Sequence, residues 1–304
     1  MFNFEPFLGD LDALKKASPQ TIRSYRHDLR LFEDFARQRL VSEPGQISHT
    51  VIREYVTYMR EKVNPRTGKA GLADTSIARR LAALSSFLEY TRATGDHNLR
   101  NPLKEVKGKW QRNSKPNPVD EYDIDMLLAS ISDSRDRVLF SLLLASGLRI
   151  SEVRQLNRDS IQLSVERQPN GKLRALGSGE VVGKGGKRRA FYVDDQTLRA
   201  YTRYLKTRKD NDPALFISSR NQRMSVRAIQ ERLGHWCKVV GFKHINVHRL
   251  RHTYATRLAN NNIDSIVLKD LMGHSSFATT QKYFKLSDST LARGYFAAME
   301  RATK

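Results

Sequence analysis

The stretches HRLRHTYATRL (residues 248–258) and LMGHSSFATTQKYF (residues 271–284) decide how the rest of the chain is interpreted. His248 and Arg251 are three residues apart, so on a helix they share a face. His274 and Tyr283 follow, nine residues apart, without a carboxylate cluster. Cationic side chains hold phosphate oxygens, and a tyrosine hydroxyl attacks phosphorus. These stretches therefore predict a phosphoryl-transfer site.

The composition favours a polyanionic partner. The 304 residues include 53 Lys and Arg against 32 Asp and Glu, a formal net charge of +21, and 39% are hydrophobic. This apolar content is typical of a globular protein, and the charge favours nucleic acid over a membrane surface. The sequence has neither a long apolar run nor the start of a signal peptide. The single cysteine, Cys237, favours a reducing cytoplasm.

Apolar residues at three- and four-residue steps predict a helical domain over residues 1–106. Serine caps at Ser18 and Ser48 begin two of its helices. A third helix carries an apolar stripe over residues 77–88, and a short fourth is expected near Pro102. Arginines off these stripes are candidates for contacts with a DNA backbone, although a solvated helix face explains any single one equally well. They are Arg23, Arg26, Arg30, Arg79 and Arg80.

Residues 107–119, KGKWQRNSKPNPV, have no apolar period and predict a basic interdomain linker. Its lysines, Lys107, Lys109 and Lys115, either cross a phosphate backbone or belong to a plain solvated tether.

A second domain is predicted over residues 120–304, mainly α with a small antiparallel sheet. Gly147 should end one helix in a left-handed cap, and Ser151 should begin the next, which places Arg149 in the turn between them. SIQLSV and ALFIS are expected strands, and GEVVGKGGKRRAFYV is an expected hairpin with Lys184 and Lys187 in its turn.

Five stretches in this order, GLRISEV, GKGGKRR, HRLRHTYAT, LMGHSS and TTQKYF, resemble the motifs of the tyrosine recombinases, the λ-integrase-like or Xer-like site-specific recombinases. The resemblance covers roughly residues 120–304, and the N-terminal segment resembles the core-DNA-binding domain of that family. It implies a SAM-like helical domain followed by the recombinase catalytic domain.

The resemblance also implies which residues carry the chemistry. Matched motif by motif, they are the arginine Arg149 with its acidic partner Glu152, the lysine Lys184, the pair His248 and Arg251, the second histidine His274 and the nucleophile Tyr283. Lys187 remains the alternative to Lys184. The arginines would stabilise the negative charge that spreads over the equatorial oxygens in the transition state, His248 would accept the tyrosine proton, and Lys184 would protonate the leaving 5′-oxygen. No metal, cofactor or ATP is expected.

Structural roles compete with these assignments. Glu152 also suits the first turn of a helix, His274 a C-terminal cap and Tyr283 a core aromatic position. His248 and His252 have the spacing of zinc ligands, but the arginines beside them would repel a metal ion. We expect His252 to be a structural hydrogen-bonding residue rather than a catalyst.

The sequence therefore predicts a recombinase that acts on double-stranded DNA with inverted half-sites, through a 3′-phosphotyrosyl intermediate and a Holliday junction. A dimer on each site, a tetramer on two sites, and an accessory DNA-bending or partner recombinase protein are expected, in the cytoplasm and on the nucleoid if the source is bacterial. The segment 287–302 is expected to form a C-terminal helix that docks on a neighbouring protomer. Because the helices start almost at once, no arm-binding domain is expected.

Three alternatives remain for the function. A type IB topoisomerase uses the same chemistry as a monomer, and a catalytically silent protein would only bind DNA. A metal-dependent nuclease is disfavoured because the sequence lacks an acidic cluster.

Overall fold

The computed structural model describes residues 2–14, 17–63, 68, 70–95, 97–105, 116–167, 171–183, 186–243, 245–284 and 299. The chain folds as two compact units, residues 1–114 and 115–304. Among the described residues, the first unit encloses one hydrophobic cluster and the second encloses two. No helix within the described ranges has the length and apolar character needed to span a membrane.

The first unit packs helices around an aromatic core. Its helices are α1 (Glu5–Ala13), α2 (Pro19–Arg37), α3 (His49–Glu61) and α4 (Asp74–Thr94). The serine caps are confirmed, since Ser18 and Ser48 each accept a hydrogen bond from a backbone N–H of the following turn. The sequence did not predict α1, because it begins without a capping side chain. A 3₁₀ turn, Pro102–Lys104, stands where a short helix was expected.

The second unit is mainly helical with one small sheet, which confirms the predicted fold class. Its helices are α5 (Glu121–Ser130), α6 (Ser134–Ser146), α7 (Ile150–Gln155), α8 (Asp195–Thr207), α9 (Val226–Val239), α10 (Val247–Asn260), α11 (Ser265–Met272) and α12 (Phe277–Gln281). The strands β1 (Gln162–Arg167), β2 (Leu173–Val182) and β3 (Arg188–Val193) form an antiparallel sheet in the order β1-β2-β3.

The prediction that ALFIS forms a strand was wrong. Its two ends form isolated bridges with different partners, Ala214 with Asn157 and Ile217 with Arg223. Because no single strand runs alongside the whole segment, a continuous ladder cannot form.

Helix α6 is the central element of the second unit. Its sequence, SRDRVLFSLLLAS, is apolar on nearly every face after the first turn, and such a helix is stable only when it is surrounded. Helices α8 and α10 and strand β3 pack against it. The helix ends at Gly147, which adopts the expected left-handed conformation. The turn that carries Arg149 is therefore anchored to the centre of the domain.

We expect Gly147→Ala to destabilise this unit. An added Cβ would lie 2.2 Å from the Tyr254 ring, on a backbone with φ of +58°. The left-handed conformation costs about 1–2 kcal/mol, and overpacking adds about 1–3 kcal/mol. Gly241→Ala is the matched control, because its φ is +73° and nothing lies within 4 Å of an added Cβ. In urea unfolding, the Gly147 variant should lose the larger free energy; equal losses would contradict the predicted clash.

Candidate active site

The first cluster of the site forms at the start of α7. Arg149 is the N-cap residue of this helix, which begins at Ile150, one residue before the expected Ser151. The Glu152 carboxylate accepts hydrogen bonds from the Arg149 backbone N–H at 2.7 Å and from its Nη1 at 2.8 Å. Glu152 is 4% exposed, whereas the Arg149 side chain keeps 32% of its surface exposed. Glu152 thus caps the helix and also orients the guanidinium.

Both arginines of the motifs are held by backbone carbonyls at the C-terminal ends of α6 and α11. Arg149 Nη2 donates to the carbonyl oxygen of Gly273 at 2.9 Å. Buried Arg251, on α10, donates from Nη1 to the carbonyl oxygen of Gly147 and from Nη2 to that of Met272. Residues more than 100 positions apart are thereby locked into one group. Two fixed guanidinium forks suit a tetrahedral oxyanion better than flexible lysines do.

A third arginine, Arg189 on β3, completes this network and was not predicted. Its side chain is 8% exposed and donates from Nη2 to Glu152 Oε2 at 2.7 Å. It also donates from Nη1 to the carbonyl oxygen of Leu271. Alternation along the strand offered a signal, because Arg189 is in phase with the buried Phe191 and Val193.

Tyr283 lies in a turn, two residues after α12 ends at Gln281. Its N–H donates to the Thr280 carbonyl at 3.0 Å, a hydrogen bond between residues three positions apart, as in a 3₁₀ turn. The residue is 5% exposed and packs with Tyr254, Leu268 and Met272. The Tyr283 ring is therefore part of a small core, as the structural alternative supposed, while its hydroxyl has a polar partner.

That partner is His252. Nδ1 of His252 lies 2.5 Å from the Tyr283 hydroxyl oxygen. His248, one helical turn earlier, presents its ring edge to His252 with centroids 4.5 Å apart. The His274 ring is nearly parallel to Tyr283, at 9° and 6.4 Å, and its Nδ1 lies 2.8 Å from Thr280 Oγ1. Two histidines, His252 and His274, therefore flank the tyrosine, and His248 packs against the first of them.

Burial and positive charge set the protonation states around this tyrosine. Burial raises the pKa of Tyr283 to about 12, against the opposing influence of Arg251. Burial, and then His248, Lys282 and Arg251, lowers the pKa of His252 to about 4. At neutral pH the tyrosine is therefore protonated and the His252 imidazole is neutral.

Burial and neighbouring charges also shift the pKa values of His248, Arg251 and Glu152. Partial burial, followed by Arg251, Lys282 and Arg149, lowers the pKa of His248. Burial lowers the pKa of Arg251 to about 9, helped by Arg149 and Arg189, so its guanidinium stays charged at neutral pH. Burial alone would raise the pKa of Glu152, but the Arg149 N–H and the charges of Arg189 and Arg149 bring it below its ordinary value.

A cleft of about 960 Å³ opens beside this network. Its lining includes Arg149, Lys187, Arg189, Lys269 and His274. The charged residues of this lining are mainly cationic, which favours an anion such as a phosphodiester. In the part of the chain that the structure describes, no group of three or more His, Cys, Asp or Glu side chains is arranged to hold a metal ion.

Several predicted residues are not among those that the structure describes. Lys184, Lys107, Lys109, Lys115 and the segment 285–298 lie outside the described residues. Lys187 is exposed in the hairpin turn, where its carbonyl accepts from the Gly183 N–H at 2.8 Å.

The arginines of the first unit have mixed surroundings. Arg79 and Arg80 both pair with the buried Asp28, and the Arg80 side chain is only 12% exposed. Arg26 pairs with Glu5 at 2.8 Å. Arg23 and Arg30 are exposed on α2. These two have the more accessible surface for an external phosphate, and the DNA contacts of the whole group stay a prediction.

Comparison with known proteins identifies the family. The model of the Phage integrase family matches residues 119–290, and that of the phage integrase N-terminal SAM-like domain matches residues 4–95. The chain belongs to the phage integrase family. Tyrosine recombinase XerC of Actinobacillus succinogenes is 32% identical over 298 residues, covering 95% of this chain and 94% of that protein. XerC of Haemophilus influenzae is 33% identical with the same coverage. The chain is accordingly a tyrosine recombinase.

Solved structures share its fold. The Tn1549 transposon integrase in complex with transposon right end DNA has a TM-score of 0.74 and 20% identity, covering 98% of both chains. XerH bound to its difH substrate has a TM-score of 0.70 and 19% identity, covering 96% of this chain and 83% of that one.

His274 should make the stability of this recombinase depend on pH. Burial, followed by Arg251 and Arg149, lowers its pKa from 6.5 to about 4. As the pH falls between these values, the unfolded chain takes up a proton that the folded site resists, so the free energy of unfolding falls. Urea unfolding at about pH 7 and about pH 5 should show a larger loss for wild type than for His274→Asn. Identical losses would contradict this effect.

Proposed function

We propose that this tyrosine recombinase cleaves DNA with Tyr283 as its nucleophile, and that Arg149, Arg251, His248 and His274 bind the scissile phosphate. The observation that carries this proposal is the interlocked pair of arginines beside a tyrosine whose hydroxyl meets a neutral imidazole. The arginines supply fixed positive charge, and the tyrosine supplies the attacking oxygen.

The chemistry proceeds by in-line displacement at phosphorus. The Tyr283 oxygen forms a bond to phosphorus, its proton passes to a base, and the bond to the 5′-oxygen breaks. Negative charge on the non-bridging oxygens is stabilised by the guanidinium groups, which need no rearrangement because backbone carbonyls already hold them. The 3′-phosphotyrosyl bond conserves the energy of the broken linkage, so a 5′-hydroxyl can reverse the step without ATP.

Glu152 and the hairpin lysine have supporting roles. Glu152 orients Arg149 and balances the charge of Arg189 at the same time. Lys184 is the proposed general acid that gives the leaving 5′-oxygen its proton, and Lys187 in the same turn is the alternative. A leaving alkoxide is strongly basic, so a positioned donor of this kind accelerates the step.

The assembly proposed for strand exchange is a dimer on each pair of inverted half-sites and a tetramer on two sites, joined through a Holliday junction. DNA is the partner in the solved relatives, where XerH is bound to difH and the Tn1549 integrase to transposon end DNA. The net charge of +21 suits the same partner here. A protein acting on chromosomal DNA in a bacterium would work in the cytoplasm, on the nucleoid, with a DNA-bending or partner recombinase protein where one is required.

Covalent trapping tests this proposal and locates the DNA site in the same experiment. Wild-type protein is incubated in EDTA with nicked fragments of its source genome, and denatured covalent complexes are recovered and sequenced. We expect the trapped ends to define an inverted repeat, and two copies of that repeat to assemble with four protein chains in sedimentation. Failure to trap any fragment would contradict the cleavage proposal. Relaxation of supercoiled DNA by a monomer, without pairing of sites, would instead identify a topoisomerase.

A further inference from the structure

His252 is a histidine that the sequence assigned only a structural role, and it touches the one oxygen that must react. Its Nδ1 lies 2.5 Å from the Tyr283 hydroxyl oxygen. With the ring proton on Nε2, Nδ1 offers a lone pair to the phenolic O–H. Because Tyr283 is 5% exposed, its hydroxyl meets this imidazole in place of bulk water.

The other candidate bases of the site make other contacts. Nδ1 of His274 faces the Thr280 hydroxyl at 2.8 Å, and its ring is nearly parallel to the tyrosine. Glu152 is occupied by hydrogen bonds from Arg149 and Arg189. Among the described residues, the hydrogen bonds include none between His248 and Tyr283, and the His248 ring packs edge-on against His252.

We propose that His252 is a catalytic residue that accepts the Tyr283 proton during cleavage and returns it during religation. This inference rests on the proposed role of Tyr283 as nucleophile. In cleavage, the Tyr283 O–H bond breaks, its proton moves to Nδ1 of His252, and the freed electron pair forms the bond to phosphorus. The 5′-oxygen leaves with the P–O electron pair and takes its proton from the general acid. Religation runs the same transfers backwards.

Charge explains why the proton stays on the tyrosine until DNA is bound. Burial, followed by the electrostatic influence of His248, Lys282 and Arg251, disfavours an imidazolium at His252 and lowers its pKa to about 4. Burial is also the largest cause of the raised pKa of Tyr283 and of the lowered pKa of His274. Before DNA binds, the tyrosine therefore stays protonated and His274 stays neutral. A phosphodiester bound by the arginines adds negative charge that offsets this repulsion, so the transfer becomes favourable only as the new P–O bond forms.

The inference assigns to His252 the proton transfer that the sequence alone assigned to His248. His248 is then left to act on the phosphate and to support the His252 ring through their edge-on contact. Loss of His252 and loss of His248 should have different effects. A more acidic nucleophile gives up its proton more readily, so it should compensate for loss of the proton acceptor only.

The test measures single-turnover formation of the covalent adduct on a nicked duplex, with tyrosine or 3-fluorotyrosine installed at position 283. His252→Asn retains a polar group near the Nδ1 position but cannot accept the proton. We expect it to slow cleavage by about 10²- to 10⁴-fold, with DNA binding unchanged. The more acidic fluorophenol should speed this variant by a larger factor than it speeds wild type. His248→Asn should gain no more from it than wild type.

Three results would overturn the inference. They are a wild-type cleavage rate for His252→Asn, an equal rate increase from fluorotyrosine in this variant and in wild type, or a larger increase in His248→Asn than in wild type. His252→Gln replaces the first variant if thermal unfolding shows that His252→Asn is not folded. Adduct formation by Tyr283→Phe would contradict the proposed function itself. If cleavage requires Tyr283 but its rate does not depend on His252, only this inference is contradicted.

Discussion

Tyr283→Phe should form no covalent complex with DNA while still binding it. The change removes one oxygen, the atom that would be joined to phosphorus, and leaves the ring that packs against Tyr254, Leu268 and Met272. Stability should change little, because the lost hydroxyl had a single described partner, His252. A nicked duplex carrying the trapped site, resolved on a denaturing gel, measures the adduct, and an electrophoretic shift measures binding.

Tyr254→Phe is the matched control for that experiment. Tyr254 belongs to the same small core and is 7% exposed, and its ring lies under the Gly147 turn. Removing its hydroxyl keeps the packing and leaves the reacting oxygen in place, so the adduct should form as in wild type. An adduct from Tyr283→Phe, or its absence from both variants, would contradict the assignment of the nucleophile.

Arg149→Ala should lower the rate of cleavage by about 10³- to 10⁵-fold, the range known for an arginine that stabilises phosphoryl transfer. The guanidinium is partly exposed toward a cleft with cationic walls, where a scissile phosphate would sit. The fold should survive, because Glu152 keeps its hydrogen bond from the backbone N–H of residue 149 and its ion pair with Arg189. Single-turnover cleavage and equilibrium binding on the same duplex separate the two effects.

Arg154→Ala provides the control for lost charge. Arg154 is an exposed arginine on the same helix, α7, so its removal changes the net charge by the same amount outside the network of Glu152. Its cleavage rate should stay near that of wild type under saturating DNA. If Arg149→Ala instead abolished binding, Arg149 would be a docking residue; if it cleaved normally, the phosphate site would lie elsewhere.

Much of this molecule could be predicted from local pattern. Three- and four-residue apolar steps predicted helices such as α2 and α4, and alternation with glycines predicted the β2–β3 hairpin. Gly147 was expected to end a helix in a left-handed cap and does so. Motif order led to the tyrosine recombinase family, which the family models and the XerC relatives support.

Other features were missed because their signals are weak or depend on distant partners. The start of α1 carries no cap, and the ALFIS segment has strand-forming residues without one continuous partner. Arg79 and Arg80 resemble any solvated basic pair in the sequence, yet both face Asp28, some fifty positions earlier in the chain. The period of the hydrophobic residues indicates which face of a helix is buried, but it does not indicate which charged groups meet at that face.

Local sequence pattern was enough to predict the mainly helical fold class, the turn at Gly147 and the residues that the recombinase motifs single out. How these residues meet depends on the packed fold: Arg149 at the carbonyl of Gly273, Arg251 at that of Gly147, and His252 at the hydroxyl of Tyr283. The reason is physical. Backbone turns and amphipathic faces follow from neighbouring residues, whereas a hydrogen bond between residues tens to more than a hundred positions apart exists only after the helices have packed.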